Sequence, residues 1–475
     1  MIKTFYITTP IFYPNANLHM GHAYTVTVCD ILTRYHKLVG EETYFLTGSD
    51  ENTGKILKAV EERGEKVSDY LDAISENFKN LYKSLDISYD QFIRTSDKKN
   101  HWPGALAMWE RLVSSGDIYK ATYKGLYCVG CETFYKEKDL VDGKCPIHQT
   151  IPEEIEEDNY FFRLSKYSVK IKEKIRNEEI KIVPTSRKNE ILALLDRGLE
   201  DVSFSRPIKN VPHGIPVPND PEQVIYVWCD ALVNYISALG FGRDDDLFKK
   251  FWPADVHVIG KDILRFHTAI WPAMLMSANL PLPKSVFVHG LITSGGVKMS
   301  KTLGNVVDPY DLINQYGRDA VRYYFAREIS PFEDGDLTVE RFKESYNANL
   351  ANGVGNLVSR IMKMSEDNLD KPIEIPEFKL SDEYKKYLEN FEINKACDLV
   401  WQEIGDIDKY IQDNKPFKIV KENKEEGVKM IKELVSKLYM VATLLEPIMP
   451  ETSGKIKGLV KLNKSPEKPL FLRKE

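Results

Sequence analysis

Two histidines and two lysines are spaced as chemistry would require. The first pair lies in His19-Met20-Gly21-His22, and the second lies far downstream in Lys298-Met299-Ser300-Lys301-Thr302. A helix beginning at the first motif would offer unpaired backbone N–H groups and a positive dipole end, which together bind phosphate. Gly21 would let a nucleotide approach the backbone, and two imidazoles can donate to phosphate oxygens as charge develops on them. The lysines follow Ser294-Gly295-Gly296 in a Gly-rich loop and suit a migrating negative charge, with Ser300 and Thr302 as small hydroxylated neighbours. Alone, the first motif also fits a helix start with incidental histidines, and the second fits a solvated surface loop. Together and in this order, each after a strand-like run, they read as two halves of an ATP site in which a carboxylate attacks phosphate. That arrangement points to amino-acid activation.

A second cluster is Cys128-x2-Cys131-x13-Cys145-x2-His148. Ligands two residues apart form a knuckle, and four close a tetrahedral shell with no open position, so the spacing predicts one structural zinc ion. Three buried thiols with a surface histidine are the alternative. Cys29, Cys229 and Cys397 stand in apolar contexts.

The elements that must position these groups are legible in outline. Thr4–Thr9 is aromatic and β-branched and stops at Pro10, which predicts a buried strand. From Gly21, the residues Val28, Ile31, Leu32, Tyr35, Leu38 and Val39 recur at helical spacing up to Gly40, and Thr43–Thr47 is strand-like again. Strand, helix, strand is the unit of a parallel sheet whose ligands sit beyond the strand carboxyl ends. Ile225–Trp228, Val256–Ile259 and Val286–His289 read as further strands, with a helix from Asp262 to about Ser277. Between them the Cys/His cluster, an acidic stretch and several prolines break the rhythm. After residue 320 helical periodicity takes over in 341–365, 381–413 and 424–446.

The paired signatures resemble those of the class I aminoacyl-tRNA synthetases, with Met20 and Thr302 as conservative departures. From end to end the chain resembles the methionyl-tRNA synthetase family. Thr9-Pro10-Ile11-Phe12-Tyr13-Pro14-Asn15, Tyr226-Val227-Trp228-Cys229-Asp230-Ala231, Gly260-Lys261-Asp262-Ile263 and the run through His267 and Trp271 carry the likeness. It implies an α/β fold: a Rossmann-type parallel-sheet catalytic domain (1–115 and 225–340), an inserted zinc-binding domain (116–224) and an α-helical bundle that binds the anticodon (341–475).

It also implies site residues. His19, His22, Lys298 and Lys301 would act on the phosphates, with Gly21 and Ser300 also at ATP. Ile11, Tyr13, Trp228, Ala231, Tyr235, Ile263 and His267 would line a methionine pocket, and Asp50 would receive the substrate's ammonium group. Asn356, Arg360 and Phe417 would meet the anticodon, and Cys128, Cys131, Cys145 and His148 would hold zinc. Physical chemistry agrees: a thioether favours aromatic neighbours by about 0.3 to 1.5 kcal/mol per contact, and a buried ammonium needs a counter-charge. Ile263 and His267, like Ala231 and Tyr235, are four apart and share a face if helical. Where the family commonly has His after an acidic residue, this chain has Asn52, which can donate a hydrogen bond and cannot carry the charge.

The implied substrates are ATP with Mg2+, L-methionine and tRNA(Met), including initiator tRNA. Alternatives are another class I specificity (Leu, Ile, Val or Cys), a small-molecule nucleotidyltransferase, and a non-catalytic tRNA-binding relative. Residues 116–224 are too few for the editing domain of the branched-aliphatic enzymes, and a cysteine enzyme would need zinc in its amino-acid pocket. A nucleotidyltransferase would need neither the knuckle nor the helical domain, and intact signatures count against a non-catalytic relative. Among 475 residues, 65 Lys+Arg against 71 Asp+Glu give a net charge of -6, so any RNA contact must be a local patch. No apolar run is long enough for a signal peptide or membrane span, so a cytoplasmic protein is expected. With no dimerising segment before Glu475, a monomer is expected.

Overall fold

The computed structural model describes residues 2–129, 133–135, 137–146, 149–299 and 305–475. Cys131, His148, Ser300 and Lys301 lie outside the described residues, and only the backbone of Lys298 is described.

Six strands form one sheet: β1 (Thr4–Thr8), β2 (Glu42–Ser49), β3 (Gln91–Arg94), β7 (Lys181–Val183), β12 (Val256–Gly260) and β13 (Ser285–His289). The order is β3-β2-β1-β12-β13-β7, and every pairing is parallel. Strands β1, β12 and β13 are buried nearly throughout, as a sheet covered on both faces demands. The strand order reverses between β1 and β12, and their carboxyl ends open the crevice in which doubly wound sheets bind ligands. His19 follows one of these ends and Lys261 the other.

The segment 116–224 supplies the edge strand β7, which its composition does not reveal, together with two smaller sheets. One runs β5-β4-β6-β8, from Thr133–Tyr135, Ile118–Cys128, Glu153–Phe162 and Val202–Ser203. The other runs β10-β11-β9, from Pro216–Val217, Asp220–Ile225 and Ser205–Pro207. Thus the strand expected at Ile225–Trp228 needs correction. β11 ends at Ile225 in that antiparallel sheet, and Val227–Leu232 is a helix buried on every side. An apolar run reads as a strand when no polar face marks the helical period.

A third small sheet, β15-β14-β16, combines Val297–Lys298, Ile292–Ser294 and Gly335–Asp336. The loop expected before the lysines is therefore a hairpin. Gly295 and Gly296 form its turn at φ +65° and +75°, values that glycine adopts without strain. Beyond residue 338 the described chain is helical, including Asn356–Asn368, Ile393–Asn414, Pro416–Glu422 and Lys424–Leu445.

Helix α1 (Met20–Leu38) joins the sheet to the helical part. Its Asp30 is fully buried and meets Arg322 Nη2 at 2.7 Å and Arg34 Nε at 2.7 Å. Arg322, also fully buried, donates to the Ile448, Pro447 and Leu85 carbonyls. Burial opposes the Asp30 charge, yet the two guanidiniums together with hydrogen bonds from the Ser88 N–H and hydroxyl outweigh it and hold the carboxyl below its usual range. Removing either partner would strand a buried charge, at a cost of about 3 to 5 kcal/mol. The helix carrying the histidine signature is thereby set rigidly against the loop Glu446–Met449 of the helical part.

Candidate functional site

The His-x-x-His spacing is first a helix-capping device. His19 is the N-cap of α1, and its Nδ1 accepts from the Gly21 N–H at 3.1 Å. His22, at the third helical position, accepts from the His19 N–H through Nδ1 at 3.2 Å. The two rings are 3.9 Å apart. Because a backbone amide can only donate, each Nδ1 is an acceptor, and in the neutral ring the proton must sit on Nε2. Burial, then the neighbouring His19 and His289, push the His22 pKa well below the ordinary histidine value, so it presents a neutral Nε2–H donor. A Cβ on Gly21 would come within 3.0 Å of the His19 ring, so glycine keeps that ring folded over the helix start.

The second signature arises at the adjoining strand end. His289 closes β13, and its Nδ1 donates to the Gly290 carbonyl at 2.7 Å, leaving Nε2 to accept from Thr25 Oγ1 of α1 at 2.9 Å. Chain then passes through Gly290 and Leu291 into the β14–β15 hairpin that carries Lys298. Asp336 of β16 holds the hairpin turn, accepting from Gly296 N at 2.9 Å and Thr293 Oγ1 at 3.1 Å. So the sheet brings Lys298 and the two histidines to neighbouring edges of one crevice.

Around the same carboxyl ends lie the residues expected to hold an amino acid. Phe12 N donates to Gly48 O at 3.1 Å and Asp50 N to Phe12 O at 2.9 Å, stitching the Ile11–Tyr13 loop to the end of β2. Asp50 is buried. Tyr13 meets Trp228 edge to face with ring centres 6.4 Å apart, and Trp228 stacks on Phe266 at 3.5 Å. Ala231 and Tyr235 lie on successive helices, Val227–Leu232 and Asn234–Ser237. Ile263 precedes a π-helical turn, Phe266–Ile270, that presents His267.

His267 Nδ1 donates to Ile263 O at 3.0 Å, so its Nε2 accepts from Tyr235 Oη at 2.7 Å. Burial pushes the His267 pKa down to about 4 against the weaker opposing effect of the Ile263 carbonyl. His22 and His257 lie well below their ordinary value and His289 below it, burial being the main cause in each. The chemistry of this wall is an aromatic slot with neutral imidazoles.

These directions carry a stability prediction. Each of these histidines is neutral when folded and titrates near 6.5 when unfolded, so below pH 6.5 the unfolded chain binds more protons. The stability is complete above pH 6.5 and is lost as pH falls towards the folded values, about 4 for His267. A fall in thermal midpoint between pH 7 and pH 5 is expected, each histidine contributing up to about 1.4 kcal/mol per pH unit. A midpoint constant across that window would refute it.

Residues after Asp50 form contacts that sequence reasoning missed. Glu51 is fully buried and accepts from Arg94 Nε at 2.8 Å, Ser49 Oγ at 2.5 Å and Ser75 Oγ at 2.8 Å. Asn52 does donate: its Nδ2 reaches Thr95 O at 2.9 Å and Asp230 Oδ2 at 2.7 Å. No periodicity marks such partners, which lie 43 and 178 positions away.

Remoter candidates are placed as follows. Cys128 and Cys145 are both buried and converge on Thr150: Cys145 N donates to Thr150 O at 2.8 Å, and Cys128 Sγ lies 3.9 Å from Thr150 Oγ1. In the helical part Asn356 is exposed, while Arg360 is ion-paired with Asp408 of the helix Ile393–Asn414. Phe417 is 42% exposed on Pro416–Glu422. Among the described residues no helix is long and apolar enough to cross a membrane.

Comparison with known proteins agrees with this architecture. A family model described as tRNA synthetases class I (M) matches residues 5–154 and 135–362. A methionine–tRNA ligase of Thermotoga maritima is 41% identical over 482 residues, covering 98% of this chain and 76% of the relative. That of Clostridium acetobutylicum is 45% identical over 477 residues, covering 96% and 73%. Among solved structures, Mycobacterium tuberculosis methionyl-tRNA synthetase in complex with methionyl-adenylate superposes with a TM-score of 0.91 at 34% identity, covering 100% of both chains. With a parallel sheet whose switch point lies beside both signatures, and with relatives aligned over nearly its whole length, the chain belongs to the class I tRNA synthetases, among the methionine–tRNA ligases.

Proposed function

We infer that this chain activates methionine with ATP, forming methionyl-adenylate and pyrophosphate, and transfers the methionyl group to the 3′ end of tRNA(Met). The observation that carries the reading is the meeting, at one sheet switch point, of an aromatic slot beside a buried carboxylate with a doubly histidine-capped helix start.

In this reading Asp50 receives the methionine ammonium, and Tyr13, Trp228, Tyr235 and Ile263 surround the thioether, with His267 holding the Tyr235 hydroxyl. Ile11 and Ala231 complete the lining. The substrate carboxylate attacks the ATP α-phosphorus while the bond to the pyrophosphate oxygen breaks. His19 and His22 donate from Nε2 to phosphate oxygens, and Gly21 leaves room for the nucleotide. Lys298 and Lys301, with Ser300 between them, follow the negative charge onto departing pyrophosphate. The tRNA's terminal ribose hydroxyl then attacks the mixed anhydride and releases AMP. Mg2+ accompanies the ATP phosphates. Asn356, Arg360 and Phe417 face the anticodon; Arg360 must exchange Asp408 for a base edge to do so, and Phe417 offers a stacking surface.

Cys128 and Cys145, two buried cysteines that both contact Thr150, would supply half of a tetrahedral zinc shell, and Cys131 and His148 would complete it. Zinc bound there supplies folding free energy to segment 116–224. Chelation is expected to expose strands β4 and β6 to hydrogen exchange before the main sheet, and equal protection with and without chelator would remove the structural zinc.

Amino-acid-dependent ATP–pyrophosphate exchange tests the function directly. Exchange with methionine and not with leucine or cysteine is expected. Absence of exchange with every amino acid would overturn the enzyme reading.

A further inference from the structure

One buried network lies between the two halves of the amino-acid pocket and takes no part in the chemistry above. Asp230 is fully buried. Its Oδ2 accepts from Asn52 Nδ2 at 2.7 Å and its Oδ1 from His101 Nε2 at 2.5 Å. Asn52 is tied a second and third time, Nδ2 to Thr95 O at 2.9 Å and its backbone N to Thr95 Oγ1 at 3.2 Å. Both protons of the Asn52 amide go to acceptors, so the orientation of the amide is unambiguous. Behind His101, Nδ1 lies 2.8 Å from Ser237 Oγ. A Cβ on Gly104 would come within 2.6 Å of Ser237 Cβ, so that glycine lets the helix Trp102–Ser114 approach closely enough for His101 to reach across.

Three stretches remote in sequence are locked here. Asn52 stands two residues after Asp50, at the pole that receives the ammonium group. Asp230 stands between Trp228 and Ala231, on the helix that walls the thioether. His101 and Thr95 follow β3 and brace both. The span from the ammonium acceptor to the far wall is therefore set by buried hydrogen bonds to one carboxylate and not by apolar contact alone. A buried carboxylate cannot slide along its donors, because leaving either unmade strands a charge away from water. By itself an apolar slot discriminates one methylene by only about 10- to 200-fold, and any slack in its far wall reduces that.

We propose that Asn52, Asp230 and His101 form a positioning bridge that fixes the length of the amino-acid pocket and so sets which side-chain length is activated. The bridge rests on the methionine reading above, and the unaltered protein serves as its control.

The test is ATP–pyrophosphate exchange with methionine, with ethionine, one methylene longer, and with S-methylcysteine, one methylene shorter. Asn52→Ala is expected to raise the methionine KM at least 10-fold with kcat reduced less than threefold. It is also expected to narrow the methionine-to-ethionine ratio of kcat/KM at least fivefold. His101→Gln, which keeps an N–H donor towards Asp230, is expected to hold that ratio within twofold. A folded Asn52→Ala protein with the unaltered ratio, or with equal losses on all three amino acids, would overturn the bridge as a length-setting device. If Asn52→Ala does not fold, Asn52→Ser, which keeps one donor, is judged by the same ratio. If the unaltered protein exchanges with none of the three, the functional reading fails and not the bridge.

Discussion

Replacing His22 by alanine is expected to slow methionine-dependent ATP–pyrophosphate exchange about 100- to 1,000-fold, the usual effect of losing one preorganised donor to developing charge. Methionine affinity should change less than threefold. The reason lies in how the ring is held. Its Nδ1 accepts from the His19 amide, so only Nε2 can serve the nucleotide, and burial keeps the ring neutral. Two substitutions separate these roles. His22→Asn places an oxygen near the Nδ1 position and preserves the helix cap, while His22→Gln places an N–H near the Nε2 position and preserves the donor. Loss of the cap costs about 0.5 to 2 kcal/mol of stability. Thermal midpoint should therefore follow the asparagine variant and exchange rate the glutamine variant. An asparagine protein as active as the unaltered one would remove His22 from the chemistry.

Asp50→Asn should have the largest effect on the amino acid. Its carboxylate is buried, and its backbone is pinned to Phe12 O at 2.9 Å, so the isosteric amide keeps the shape and loses the charge. An ammonium buried without its counter-ion loses roughly 2 to 5 kcal/mol, which is about 30- to 5,000-fold in kcat/KM for methionine. The loss should fall mainly on KM, with the KM for ATP within threefold. A methionine KM within twofold of the unaltered value would show that the ammonium is held elsewhere.

Several parts of this site could be read before any fold was known. His19 and His22 stand three apart because N-cap and third helical position are three apart, so the spacing marks the helix start that the motif predicts. Strands β1, β2, β12 and β13 are apolar and β-branched because both faces of the sheet are covered. The family resemblance implied Tyr13, Trp228 and Tyr235, and thioether chemistry agreed with it; the structure packs Tyr13 against Trp228 and joins Tyr235 to His267. Other parts were opaque. Ile225–Trp228 looked like a strand because a helix buried all round has no polar face to betray its period. Strand β7 is three residues long, too short for a pattern, and joins the sheet only through its register with β13.

Short-range order and chemical type are local properties, and the sequence alone determined them: where α1 begins, where glycines allow the chain to turn, which residues can donate, accept or bind metal. Long-range pairing is not local, and only the tertiary structure decided it. Asp230 meets Asn52 from 178 positions away, Asp30 meets Arg322, and His289 meets Thr25 from 264 positions away. Each of these is a buried polar group whose partner no spacing rule specifies. Burying such a group without a partner is costly, so the folded chain must supply one, and which residue it supplies depends on how the sheet is wound.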